Sequence, residues 1–311
     1  MSRPLLDYRN RPAKAIERHL IVDLCRRVLQ NHPGVEFQYI GMGALEFLDF
    51  ALMHRALGLT QMVSIEQQST ERHEFNKPFR SIRIVQGHSS AVLNGKHVDL
   101  SRPSIVWLDY TGGLDDSMLG DIEDVSRIMP SPSLLFVTVN AVAKKLGERM
   151  SDLEERISPA RIPEWVSDDN LNVHGLMRAQ RQMMSFSVKL GLESRATSPI
   201  FQQLVNLHYQ DNANMQTFGG LFLPAGTDPM VAISSFEDLD FVIADDKILD
   251  LRVPVITAAE RFVLDRQLPL AEGIELVADH IPPKDLVAYQ RVYKYMHLAG
   301  LQSAAESTWI A

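Results

Sequence analysis

Two glycines one residue apart, Gly41 and Gly43, stand where an apolar run from Val35 to Ile40 gives way to a leucine-spaced segment. Glycine at a strand-to-helix turn lets the backbone bend sharply and approach a ligand closely, with helix N–H groups facing it. About 20 residues further on, a second apolar run, Met62 to Ile65, ends in Glu66, where a carboxylate can accept hydrogen bonds from both hydroxyls of a ribose. A third run, Ile82 to Val85, leads to Gly87-His88-Ser89, and a fourth, Ile105 to Leu108, leads to Asp109-Tyr110. The carboxyl ends of such runs are where α/β sheets bind ligands. Asp109 and Tyr110 are therefore the candidates for catalysis, with His88 a further candidate proton carrier.

The glycines and Glu66 suggest an adenosine-type cofactor, and Glu46 narrows its kind. A dinucleotide fingerprint places a third glycine three residues after Gly43, and this chain has Glu46 there. A carboxylate at a helix mouth repels a pyrophosphate. S-adenosylmethionine, which carries a sulfonium, an amino group, a ribose and an adenine but no phosphate, suits the position better.

These residues need elements to hold them. Ile16, Leu20, Leu24 and Val28 recur at four-residue spacing after Pro12, predicting an amphipathic helix over 12–30 that stops at His32-Pro33-Gly34. Leu45, Leu48 and Leu52 predict a second helix over Ala44 to Leu57, with Gly58 as its cap. Ser117 to Ile128 reads as helical, and Leu134 to Val139 is apolar on both faces, as an inner strand covered on each side must be. Strands and helices alternating about every 20–30 residues specify a parallel α/β sheet with right-handed crossovers. Beyond residue 140, helices are expected over Ala141 to Ile157 and Leu176 to Leu190. The β-rich runs Phe201 to Tyr209 and Met215 to Leu223 flank Asp211-Asn212-Ala213-Asn214 and predict an antiparallel hairpin. The last 80 or so residues carry a β-like run, Asp250 to Val255, and helices over Thr257 to Arg266 and Pro283 to Leu298. The expected division is a helical segment or lid over 1–34, an α/β domain over 35–230 with a helical insertion at about 141–195, and an α/β appendage over 231–311.

The order Gly41-x-Gly43, Glu66, Gly87-His88-Ser89, Asp109-Tyr110 resembles the class I S-adenosylmethionine-dependent methyltransferases over roughly residues 35–224. That resemblance implies a Rossmann-like, mostly parallel seven-stranded sheet ending in an antiparallel hairpin. It also implies that Gly41 and Gly43 wrap the amino-acid end of the cofactor and that Glu66 binds the ribose. Gly87, His88 and Ser89 would flank the adenine, while Asp109 and Tyr110 face the methyl group and the acceptor. The family usually carries an acid two residues before the first glycine, where this chain has Tyr39; Glu46 or Asp49 would have to hold the cofactor's amino group instead. The fourth-strand segment Leu108-Asp109-Tyr110-Thr111-Gly112 also differs from the Asn/Asp-Pro-Pro-aromatic motif of amino-methylating nucleic-acid enzymes.

Acceptor contacts are expected from Arg11 and Lys14, in a basic N-terminal run that is either a solvated first helical turn or a lid over an anionic substrate. Asn140, at the end of the fifth strand, and Trp165, in the insertion, are the other acceptor candidates. Asp109 and Asn140 alone offer too few oxygens for a magnesium site, so no metal is expected. The 311 residues carry a formal net charge of −8, which argues against broad duplex binding and leaves a nucleotide or nucleic-acid end open. One cysteine, Cys25, excludes an intramolecular disulfide or a multi-cysteine cluster. No apolar run reaches the roughly 18 residues of a membrane span, and the expected location is the cytoplasm. The favoured reading is methyl transfer to an unidentified small molecule, nucleotide or nucleic acid. A catalytically silent cofactor-binding or sensor protein and an NAD-dependent oxidoreductase stand as alternatives. Neither the acceptor nor the oligomeric state is legible in the sequence.

Overall fold

Short β-branched runs separated by helices build one sheet in the computed structural model, which describes residues 11–95, 97–197, 199–271 and 273–307. Its first five strands are β1 (Gln38–Gly41), β2 (Met62–Glu66), β3 (Ile82–Gln86), β4 (Ser104–Gly113) and β5 (Ser133–Asn140). Three more follow: β6 (Ile200–Gln210), β7 (Asn214–Leu223) and β8 (Leu249–Leu251). The order across the sheet is β3-β2-β1-β4-β5-β7-β6-β8. The first five strands pair in parallel, and β7 pairs with β5 antiparallel. The predicted mostly parallel sheet with a late hairpin is therefore present. The β-like run expected over Asp250 to Val255 appears as the three-residue β8, an eighth strand at the edge of this sheet where seven were expected.

Three predicted helices match closely: α1 (Pro12–Asn31), α5 (Asp116–Ile128) and α7 (Val173–Glu193). The second, α2 (Leu48–Leu57), starts four residues later than its leucine spacing suggests. Ala44 and Phe47 take left-handed backbone angles, φ 48° and 47°, which no α-helix tolerates. The helix expected over Ala141 to Ile157 shrinks to α6 (Arg149–Arg156). Gly147 at φ 93° interrupts it, and the Asp168 carboxylate accepts the backbone N–H groups of Gly147, Arg149 and Met150 at its start. The sequence also misses α3 (Glu71–Asn76), α4 (Ser89–Leu93) and α8 (Pro229–Ser234), each too short to show a period. The last two helices are α9 (Ala258–Asp265) and α10 (Pro283–Ser307).

The chain falls into two compact units. The larger takes in Ile21–His208 and Ala213–Leu249; the smaller combines the start of α1, Tyr209–Asn212 and the residues from Asp250 onward. In the larger unit Val106, Leu108, Leu135 and Val137 pack beneath Leu119, Ile122 and Val125 of α5 and Met183 of α7. Their strand neighbours Ile105, Trp107, Leu134 and Phe136 are equally buried, so both faces of the inner strands are covered. In the smaller unit Leu264, Leu276, Ile281 and Tyr289 form a separate cluster. There the Asp211 carboxylate accepts the N–H groups of Ala13 and Lys14 at 3.0 Å each, satisfying donors that the first turn of α1 leaves without helical partners. The first half of α1 is buried on every side, contrary to the amphipathic helix expected.

Close packing of β7 rests on glycine. A Cβ on Gly220 would lie 2.1 Å from the Gln202 carbonyl oxygen of β6, a backbone atom that cannot rotate away. Gly220→Ala should destabilise the fold by about 1–3 kcal/mol, the usual cost of overpacking, read as a lower denaturant midpoint with unchanged slope.

Candidate functional site

The parallel strands aim their carboxyl ends at one edge, and the cofactor and catalytic candidates follow those ends. Ser64, buried on β2, stands at the centre of the polar contacts. Its hydroxyl accepts the Gly43 N–H at 2.9 Å and donates to Glu66 Oε1 at 2.7 Å. The Glu66 carboxylate is further hydrogen-bonded by the backbone of Ala44, so the acid at the end of the second strand is fastened to the glycine turn itself. Glu66 is only 8% exposed. Burial raises its pKa above the ordinary carboxylate value, against the lowering effects of the Ser64 hydroxyl and His73. The Glu66 carbonyl accepts the N–H of Gly87 at 2.9 Å, which draws the loop after β3 to the same place.

Both glycines are required by what surrounds them. A Cβ on Gly41 would lie 2.6 Å from the Tyr39 hydroxyl, and one on Gly43 would lie 2.4 Å from the ring of Phe47. Glu46 sits half-buried in the turn between Ala44 and Phe47, ahead of α2. The Tyr39 hydroxyl donates to Asp49 on α2, so a carboxylate is supplied beside Gly41 from the helix instead of the strand. Burial, reinforced by the charges of Asp49 and Asp109, holds the Tyr39 phenol protonated far above its ordinary range.

Asp109 is half-buried where β4 changes register against β5 between Asp109 and Gly113. A bulge of this kind bends a strand and re-aims its side chains, and it recurs beside active sites. Next to it, the Tyr110 hydroxyl donates to Asp121 Oδ2 at 2.6 Å, and Ser89 Oγ donates to the same oxygen. Asp121 on α5 is 1% exposed, and its Oδ1 has no hydrogen-bond partner among the described residues. Burial, then the Asp121 charge, raises the Tyr110 pKa far above the ordinary phenol range, so the phenol keeps its proton and gives it to the Asp121 hydrogen bond. His88 is exposed at the start of α4.

The acceptor candidates do not gather in the same way. Asn140 Oδ1 accepts the Val142 N–H at 2.8 Å, shaping the turn after β5. Trp165 donates to Gln182 Oε1 at 2.8 Å and lies beneath the Arg178 guanidinium, 4.5 Å from its ring centre. Arg11 and Lys14 belong to the smaller unit. There Arg11 Nε lies 3.9 Å from Asp211, and Lys14, 1% exposed, pairs with Glu17 at 2.9 Å. The rest of the basic N-terminal run, Tyr8, Arg9 and Asn10, lies outside the described residues. Among the described residues, no group of three or more His, Cys, Asp or Glu could hold a metal ion, and no helix is long and apolar enough to cross a membrane.

Sequence reasoning missed three residues, Ser64, Asp121 and His73, while Asp49 was reached through the missing strand acid. Ser64 and Asp121 lie inside regular elements where nothing marks them. His73 on α3 places Nε2 3.8 Å from Glu66 Oε2. Its Nδ1 accepts the Thr70 N–H, which leaves the proton on the nitrogen facing Glu66.

The chain is similar to several solved structures. A probable spermidine synthase from Corynebacterium glutamicum ATCC 13032 is 13% identical, with a TM-score of 0.41 over 70% of this chain and 69% of that one. The N-methyltransferase NodS from Bradyrhizobium japonicum WM9, in complex with S-adenosylhomocysteine, is 10% identical, with a TM-score of 0.37 over 67% and 87%. Trm1 from Pyrococcus horikoshii, in complex with S-adenosylmethionine, is 10% identical, with a TM-score of 0.43 over 75% and 62%. No curated protein matches the sequence. A family profile described as "Putative O-methyltransferase" matches residues 6–297, and the chain belongs to that family.

Proposed function

We propose that this protein transfers a methyl group from S-adenosylmethionine to an oxygen nucleophile at the carboxyl edge of its sheet. The observation that carries this reading is the Glu66 carboxylate, buried and tied through Ser64 to the Gly43 turn. The donor set fits the cofactor. Glu66 offers oxygens to a ribose, while Asp49 and Asp109 set negative charge beside the glycines, where the cofactor's ammonium group and sulfonium are favoured and a pyrophosphate is repelled. When bound, the cofactor supplies an electrophilic methyl group.

The chain's own residues do the rest. Gly41 and Gly43 let the backbone come close, and Glu66 fixes the sugar, so that binding energy is converted into orientation. Asp109, re-aimed by the bulge in β4, is placed to take the proton that an acceptor hydroxyl gives up. Tyr110, held by Asp121, walls the pocket and keeps its own proton. His88, exposed at the rim with Ser89 turned inward to Asp121, borders the adenine side.

Calorimetric titration with S-adenosylmethionine should show one saturable site, and Glu66→Gln should weaken it by about 10- to 100-fold, the worth of hydrogen bonds to a charged group. Absence of binding to the wild type rejects the reading. With methyl-labelled cofactor and a panel of phenols, carboxylic acids and sugar hydroxyls, Asp109→Asn should lower kcat by about 100-fold or more while cofactor affinity falls far less. Binding without label transfer to any acceptor would favour the catalytically silent alternative.

Glu66→Gln makes a second prediction of opposite sign. Glu66 has a folded-state pKa above the ordinary 4.5, so its contribution to stability is fully present below 4.5 and is lost as pH rises through the raised value. The ligand-free Glu66→Gln protein should therefore melt about 1–3 °C higher than wild type near pH 7.5, with the gap closing as pH falls toward 4.5.

A further inference from the structure

The sheet has a second edge, and it holds a cleft that methyl transfer does not use. The cleft lies between the C-terminal half of α7 and the first residues of β6, with a volume of about 580 Å³. That volume is within the range of sites that hold small organic ligands. Because β7 runs antiparallel to β5 and joins β6 through a tight turn, β6 starts at the amino ends of the parallel strands. Gly220 faces Leu135, near the start of β5, and abuts Gln202 of β6. Five strand residues at about 3.3 Å each separate that level from Asn140 at the other edge.

One side of α7 forms the roof: Arg181, Ser185, Val188 and Leu192 follow one another at helical spacing. Ile200 and Phe201 of β6 line the facing wall. The polar end is built in advance. Arg181 Nε donates to Gln203 Oε1 at 2.8 Å, and the Gln203 amide donates to the carbonyl oxygens of Ile243 and Asp245 at 2.8 and 2.6 Å. Arg181 is thus fixed through its Nε, while its terminal nitrogens make no hydrogen bond among the described residues. The Asp245 carboxylate, which senses the Arg181 charge, is engaged by the Lys247 ammonium at 3.0 Å. Lys189, paired with Glu193 at 3.5 Å, and Arg195, which donates to the Ser126 and Met129 carbonyls, complete the charged lining. In a chain of net charge −8 this is a local reversal of sign.

We propose that this cleft binds a small organic anion with an extended apolar body, a medium-chain carboxylate in its simplest form. The head group sits against the Arg181 guanidinium and the Ser185 hydroxyl, and the chain lies along Val188, Leu192 and Phe201. From Arg181 to Leu192 the helix rises about 16 Å, enough for a chain of about ten carbons. A pinned guanidinium binds a carboxylate without first losing side-chain freedom, and the apolar wall rewards the chain by burial. The site stands whether or not the carboxyl edge transfers methyl groups.

Titration of the full-length protein with decanoate and with decanol tests the proposal. Decanoate should bind with one-to-one stoichiometry, at least tenfold more tightly than decanol, and remain bound when S-adenosylhomocysteine is in excess. Arg181→Ala should weaken decanoate at least tenfold and leave S-adenosylmethionine affinity within twofold. Equal affinity for the acid and the alcohol, displacement by S-adenosylhomocysteine, or decanoate binding unaltered in Arg181→Ala overturns the proposal. Should that variant fail to fold, the comparison of acid with alcohol on the wild-type protein decides alone.

Discussion

The carboxyl edge depends on one hydroxyl. Ser64 takes the Gly43 N–H and gives its own proton to Glu66, so a single side chain fixes the glycine turn after the first strand to the acid ending the second. A relay from N–H through a hydroxyl to a carboxylate is polarised along its length, and burial strengthens each link. Burial also makes Glu66 costly to keep charged, as its raised pKa records. Without Ser64 and Ala44, the carboxylate would lose the contacts that keep it ionised and the turn would lose its anchor. Because the Glu66 carbonyl also takes the Gly87 N–H, three successive loops are set by one residue and its neighbour but one.

The same edge shows how a missing residue is made good by geometry. Tyr39 occupies the strand position where the resembled family carries an acid, and its hydroxyl reaches past Gly41 to Asp49. The negative charge reappears from the helix, with the phenol as spacer. Space for that phenol exists because Gly41 has no Cβ, and room for Phe47 exists because Gly43 has none. Here the glycine pair is shaped as much by the aromatic groups under it as by any ligand above it. The arrangement accounts for the late start of α2: Phe47 is wholly buried in a left-handed conformation, and its burial overrides the helical spacing of the leucines.

Much of the frame was legible because its determinants are local. Each inner strand is an apolar run, and the hairpin turn Asp211–Asn214 announces itself by composition. Gly43 and Glu66 could be connected by spacing, and the Ser64 hydroxyl joins them. What could not be read depends on partners distant in sequence. Asp121 looks like any polar residue on a helix until Ser89 and Tyr110 close on it from two other elements. Asp168 ends a loop yet decides where α6 begins. Lys14 looks like a solvated or substrate-facing cation, but its helix turn is buried and Glu17 neutralises it. Charge on a helix reveals a site only when the burial of each face is known.

Electrostatics separates the two edges of the sheet more sharply than sequence motifs do. At the carboxyl edge Asp49 raises the cost of ionising Glu66, and Asp49 and Asp109 both raise the cost of ionising Tyr39. A cationic ligand relieves that cost, and an anionic one adds to it, so the ligand-free state already discriminates between cofactor classes. At the amino edge the balance is reversed around Arg181, whose pairing with a neutral glutamine leaves its charge uncompensated by direct contact. A sheet whose edges carry opposite sign can hold two ligands of opposite charge without either competing for the other's place.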